Sequence, residues 1–532
     1  MNRLGAAPLL LLWALPLLAP LAMLLPAALD GEAWRMALAH PQLWPALALS
    51  LGAGAVSTLG ALALTLTLLA GLYRSRVWDS LQALAASGLA IPHLAFAIGF
   101  GFLVMPSGLL ARLFIGGEAP PQWVSVQDPW GLTLSLALAL KELPFLLTAG
   151  LALLSRGDAA LQLRQACRAA ASLGHAPGSA FLRVVLPPLL KDLCWPLIIV
   201  FVYGATVVDM ALVLGPTQPP ALAVVIWHAL NDVDPAMNGM GLAMVLLLTA
   251  ALALVLGVVA LLLRRARDPL HRRLAAGPSP LSAPRGLAVL LGAAALLILL
   301  LAMAVLVILS FAPRWPYPAL LPPVADGAAW MKMTAAPLWV SLTLSLTAAA
   351  TAVALAVLWF ETQAPARDSW VNGLALLALA LPQLASAGGQ YKLFLPLGLT
   401  GTVFGLFLAH LTPVAAYVLI VLAGPYRAFD GRYVAAARAL SVSRIRALLT
   451  VKLPLLKAPL LTAAAIGFAV SIAQYVPAQL IAAGRFSTLP MEAVTLAAGG
   501  NRALTAAFAL ALATPPLLAF LAAAMLGRPR WR

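Results

Sequence analysis

Twelve apolar stretches, each long enough to cross roughly 30 Å of hydrocarbon as a helix, take up most of this 532-residue chain. They fall near residues 8–29, 43–70, 80–105, 130–154, 193–215 and 240–263, then 286–311, 337–360, 370–389, 402–424, 458–482 and 503–527. Only 9% of the residues are charged and 63% are hydrophobic, so no polar surface is left to cover a core in water. The fold class expected is an all-α polytopic membrane protein with about twelve transmembrane helices. The first stretch follows Arg3 as a signal peptide would. Asp30, Gly31 and Glu32 give no small-residue cleavage site, so it reads as an uncleaved first span.

The net charge of +16 invites a nucleic-acid reading that its placement excludes. With the N-terminus in the cytoplasm, 25 of the 33 Lys and Arg fall in inside loops, among them Arg74, Arg156, Arg264, Arg427 and Arg530. Seven fall outside, and Lys141 lies within a span. This positive-inside bias puts both termini in the cytoplasm of a multi-pass inner-membrane protein. Cys167 and Cys194 both fall on the inside, so neither a disulfide nor a metal site is indicated.

The chain also repeats itself. LWPALALSL at 43–51 answers LWVSLTLSL at 338–346, Ile91-Pro92 answers Leu381-Pro382, and Leu143-Pro144 answers Thr412-Pro413. A basic segment rich in Pro and Gly, 264–285, separates a first module at 1–263 from a second at 286–532. Six spans followed by six in the same orientation form a parallel repeat, with a pathway between the halves.

Two loop blocks, 155–192 and 425–457, carry the most specific match. RAAASLGHAPGSAFLRVVLP begins at Arg168 and AAARALSVSRIRALLTVKLP at Ala435. Gly174 and Ser441 each stand thirteen residues before the proline of a Leu-Pro, Leu186-Pro187 and Leu453-Pro454. Small residues (Ala169, Ala170, Ala436, Ala437) let a helix lie close to a partner surface, and Gly174 permits a sharp turn. Phe181, Val184 and Val185 lie on one side of the following segment as an apolar knob with a basic rim; Leu448 takes the place of Phe181 in the second copy. A plain connector whose arginines only enforce orientation would not recur with one spacing in both halves.

These blocks resemble the EAA loop of inner-membrane permeases of binding-protein-dependent ABC importers. There, Glu-Ala-Ala precedes a Gly by three residues, and a Leu-Pro follows thirteen residues on. The resemblance implies two tandem MetI-like modules covering nearly the whole chain, in the fused form of the ferric-iron and thiamine branch and most like YnjC-type permeases. Arg168 and Ala435 stand where that family has Glu, and Ser441 where it has the second Gly, so a salt bridge from that Glu does not carry over. The resemblance further implies partners: two copies of a cytoplasmic ATPase subunit on the loops and a periplasmic solute-binding protein. It implies no enzyme activity or cofactor in this chain, ATP being bound by the partner. The chain has no GxxxxGK[ST] phosphate loop of its own. The solutes implied are a thiamine-like compound, ferric iron or another small charged molecule.

Polar residues inside the membrane are the pathway candidates, because charge there is expensive and functional by default. They are Lys141 and Glu142 just before Pro144, Asp209 in the fifth span, Gln474 as its counterpart in the eleventh, and His410 at the register of Lys141. Adjacent residues point about 100° apart, so Lys141 and Glu142 do not pair with each other. Lys141 either pairs with Asp209 or meets the solute. A twelve-helix secondary transporter driven by an ion gradient is the alternative. It predicts a G-x-x-x-D-x-x-G-R-R-like loop between spans two and three, where GLYRSRVWDS stands instead.

Overall fold

The computed structural model describes residues 6–73, 75–155, 157–275 and 283–528. Arg3, Arg74, Arg156, Arg530 and Arg532 of the charge count, and residues 276–282 of the expected linker, lie outside the described residues. Within them every regular element is a helix, as a bilayer demands of a backbone that must satisfy its own hydrogen bonds. Nine helices are long and apolar enough to span alone, and three bent pairs bring the total to as many as twelve. The bends measure 59° and 78° where the loop blocks meet the fifth and eleventh spans, at Leu193 and Leu456, and 99° within the ninth span.

Proline sets several of the breaks. Helix Trp78–Ala90 stops at Ile91-Pro92 and resumes as His93–Val104, and Asp368–Ala380 stops at Leu381-Pro382 and resumes as Gln383–Phe394. Ile91 and Leu381 are both extended, because the ring of a following proline crowds the helical conformation. The linker is shorter than its composition implies. Helix Pro235–Ala275 runs on through Arg264 and Arg265, and the next helix starts at Arg285.

Packing does not follow the two consecutive blocks 1–263 and 286–532. The seventh span, Arg285–Ser310, packs on Leu43–Leu72 and His93–Val104 of the first half. In the first span, Leu15–Ala22 packs on Gln383–Phe394, and the turn Leu10–Ala14 on Val403–Arg427. Each half thus borrows its first helix from the other. Two glycines permit it. A Cβ on Gly99 would stand 2.5 Å from the carbonyl oxygen of Ala302, and one on Gly389 2.3 Å from that of Pro20. Gly99 and Gly389 each lie seven residues after the proline that breaks their span.

Polar contacts fix the borrowed helices in register. Pro20 has no N–H to give the carbonyl of Pro16, and Gln390 Nε2 lies 3.3 Å from that oxygen. Trp13, fully buried, donates Nε1 to the carbonyl of Thr412 at 2.8 Å. At the end of the molecule away from the loop blocks, Arg112 ties the first half to the stretch after the seventh span. Its guanidinium donates to the carbonyls of Ser107, Trp315, Pro316 and Ala319 and lies over the rings of Trp315 and Tyr317. At that end too, Ser50 and Ser341 accept the backbone N–H of Leu222 and Leu489, both at 2.9 Å, where short helices open.

Candidate functional site

Between the halves lies a cavity of about 300 Å³ lined from both sides. The first half contributes His93, Lys141, Glu142, Tyr203, Thr206 and Asp209, and the second Gln383, Tyr417 and Gln474. Four of the five residues expected on the pathway are therefore together. His410 is not among the lining residues. It is buried behind them, with Nδ1 3.1 Å from Ser471 Oγ and its backbone carbonyl accepting from Gln474 Nε2 at 3.0 Å.

The charges are held by the helix breaks. Because Pro92 lacks an N–H, the carbonyl of Gly88 four residues earlier has no helical donor. Lys141 Nζ donates to it at 2.9 Å. Each group thereby answers what would be an unsatisfied polar atom in an apolar interior. Of the two readings open for Lys141, the pairing with Asp209 is not formed: among the described residues no ion pair joins them. Glu142 instead meets His93, Oε1 to Nε2 at 2.9 Å, and the His93 ring lies 4.8 Å from that of Tyr203. Asp209 opens the helix Asp209–Leu214 after the fifth span breaks at Val207 and Val208. No side chain among the described residues bonds its carboxylate.

A second correction concerns register. The eleventh span breaks after Ile472 and resumes at Val476. Val476 stands at the same interval from Asp209 as Ser441 does from Gly174, so Val476, and not Gln474, is the counterpart of Asp209. The sequence reading missed His93 and Gln383. Each directly follows a span-breaking proline, and the alignment of Ile91-Pro92 with Leu381-Pro382 was the available signal.

The two loop blocks fold alike from the turn to the Leu-Pro, although the helix leading in is sixteen residues long in the first and eight in the second. Helices Gly157–Ser172 and Arg432–Ala439 end just before a left-handed residue, Gly174 at φ +83° and Ser441 at φ +62°. The N–H of His175 returns to Ala170 and that of Val442 to Ala437. These bonds close a Schellman-type cap, so Ala170 and Ala437 serve as capping acceptors as well as small residues. Nothing lies within 4 Å of a Cβ built on Gly174; the sign of φ alone makes glycine the favourable residue there.

Each block then passes through one wide π-helical turn, Phe181–Val185 and Leu448–Lys452, in which Leu186 bonds back to Phe181 and Leu453 to Leu448. Pro187 and Pro454 explain it, since a proline ring clashes with the carbonyl four residues earlier and a wider turn relieves the clash. Phe181 is not a presented knob. It is buried, 6.2 Å from the Tyr73 ring, and anchors its block from within. The exposed apolar pair is Leu173 and Leu440, 72% and 80% accessible, each just before the left-handed residue.

A polytopic helical protein with two matched loops on one face, and between two pseudo-equivalent halves a largely apolar cavity set with a few charged and polar side chains, has the build of a membrane transport protein. No protein-family model matches the chain. It is 32% identical over 526 residues, 97% of its length and 96% of the relative's, to the inner membrane ABC transporter permease protein YnjC of Escherichia coli (strain K12). It is also 25% identical over 130 residues, 24% of its length and 51% of the relative's, to the spermidine/putrescine transport system permease protein PotC of Haemophilus influenzae. The chain belongs to the inner-membrane permease subunits of ABC transporters, of the YnjC-like kind. Permease subunits lack ATPase activity and need no cofactor. No group of three or more His, Cys, Asp or Glu able to hold a metal occurs among the described residues.

Proposed function

We propose that this chain forms the translocation pathway of an ABC importer. A periplasmic binding protein delivers a small solute to the central cavity. Two copies of a separate ATPase subunit, which bind the ATP, dock on blocks 155–192 and 425–457. Their closure rocks the halves and opens the cavity alternately to either side. Both termini lie in the cytoplasm, as the arginine placement favours. The observation that carries the reading is the pairing of Leu173 with Leu440, two exposed leucines at the same register ahead of a left-handed turn. Ala169, Ala170, Gly174, Leu186 and Pro187, with Ala436, Ala437, Ser441, Leu453 and Pro454, shape the docking turns, while Phe181 and Leu448 start their wide turns.

For the solute we favour a small charged molecule: a thiamine-like compound, ferric iron, or a polyamine of the sort named for PotC. Asp209 supports this, as a carboxylate lining the cavity with no side-chain partner among the described residues. Backbone N–H groups at the start of its helix meet the carboxylate, and a cationic solute would supply the charge partner that no side chain does.

Purification of the tagged chain from native membranes, with mass spectrometry of what accompanies it, tests the reading. An ATPase subunit should come with the wild type and be lost from Leu173→Asp/Leu440→Asp, whose sites are too exposed to disturb the fold. A chain that comes out alone, with uptake that follows a proton or sodium gradient without ATP, would give the function to the secondary-transporter alternative.

A further inference from the structure

The second block is joined to the eighth span by a polar hub. Glu361, in the last turn of helix Ala336–Thr362, accepts from Lys452 Nζ at 2.5 Å and from the Tyr426 hydroxyl at 2.8 Å. Arg444 donates to the Glu361 backbone carbonyl at 2.9 Å, with a nitrogen 4.0 Å from the carboxylate. Lys452 also lies 4.2 Å over the Tyr426 ring. Both Lys452 and Glu361 are largely shielded, at 17% and 18% side-chain exposure. Lys452 belongs to the wide turn of the block itself, so the hub grips the element that the ATPase would move. Beside it, Arg427 meets both oxygens of Asp368 at 2.6 and 2.9 Å and donates to the carbonyls of Phe360 and Gln363. The turn after the eighth span is fixed as well.

At that register the first half differs. The register of Lys452 is held there by Val185, fully buried among Leu147, Phe181 and Leu189. The second-span helix Leu43–Leu72 carries no acidic residue to stand where Glu361 does. A hydrogen-bonded ion pair fixes distance and direction together.

We propose, on the importer reading above, that Glu361 is a positioning residue for energy coupling. Through Lys452 it makes the second block and the eighth span move as one body, so the stroke of the ATPase copy on that block reaches the second half. Glu361 touches neither solute nor ATP. It acts by holding Lys452.

Two measurements test this on the full chain. Amide exchange over residues 444–456 in the purified permease reads the latch itself. Glu361→Gln and Lys452→Met should each speed it, and the double variant should be no faster than either single one. In the complex purified with its own ATPase subunit, each variant should keep the subunit at wild-type stoichiometry. Stimulation of ATP hydrolysis by the co-purifying periplasmic protein should fall about tenfold, within the usual range of coupling between sites. Unchanged exchange in Glu361→Gln would overturn the latch. Faster exchange with undiminished stimulation would overturn its coupling role, as would additive losses that track a falling Tm. A wild-type chain that brings no ATPase subunit would sink the importer reading, and this proposal with it.

Discussion

The two halves treat their borrowed helices alike and their loop blocks differently. Where the seventh span crosses the third, and the first span crosses the ninth, a glycine at one register lets backbone meet backbone, at Ala302 and at Pro20. In the blocks the turns coincide, but the first is seated by Tyr73, Phe181, Val185 and Leu189, and the second by Glu361, Lys452, Tyr426 and Arg444. The crossings constrain geometry at the backbone, where only the smallest residue fits and divergence has little room. The block seats constrain only where a short helix lies, and different sets of side chains achieve that. Equivalence between the halves is therefore tightest where packing is closest.

The largest expected effect tests the alike part of that comparison. Gly99→Val and Gly389→Val should each destabilise the protein by about 3 kcal/mol, because helix backbone rather than a movable side chain stands where the new atoms must go. Thermal unfolding followed by size-exclusion chromatography should show similar losses for the two. A large loss at one crossing and none at the other would mean that only one half truly borrows its helix.

A smaller effect comes from the cavity wall. Lys141→Met removes the donor that answers the Gly88 carbonyl, and should lower stability by about 2 kcal/mol, the usual penalty of an orphaned buried acceptor. His410→Leu, at the matching register of the second half, orphans Ser471 Oγ but also removes a buried Nε2 that has no partner among the described residues, so the change should stay within about 1 kcal/mol. Unfolding free energies of the two variants, compared in one detergent, decide whether the pseudo-equivalent pair really differs in role.

The spans, their proline breaks and the paired blocks were legible because each rests on local chemistry: apolar length, a missing N–H, a left-handed turn. The exchange of first helices was not. A lipid-facing and a helix-facing leucine look the same in an apolar run, since lipid is as apolar as a neighbouring helix, and Gly99 and Gly389 are two glycines among 39. The cavity was half legible. Charge marked Lys141, Glu142 and Asp209, but one histidine in a list of six does not say whether it faces a carboxylate, as His93 does, or a serine, as His410 does. That Lys141 bonds Gly88 and not Asp209 depended on seeing that Pro92 frees a carbonyl four residues back, a consequence readable in principle from GLAIP at 88–92.

The smallest effect separates the two turns. Gly174 holds φ +83° with open space around its would-be Cβ, so Gly174→Ala should cost only the left-handed penalty, about 1 kcal/mol, with no clash added. Ser441 already bears that penalty at φ +62°. Ser441→Gly relieves it but frees the unfolded chain, and the two partly cancel, leaving a gain of at most about 0.5 kcal/mol. The substitutions should thus move unfolding in opposite directions. Local exchange at residues 172–176 and 439–443 reads them better than global melting, because both turns lie at an exposed face and open before the core does. A loss on Ser441→Gly would mean that the serine hydroxyl holds the second turn, and the two turns would then be alike in shape but not in cause.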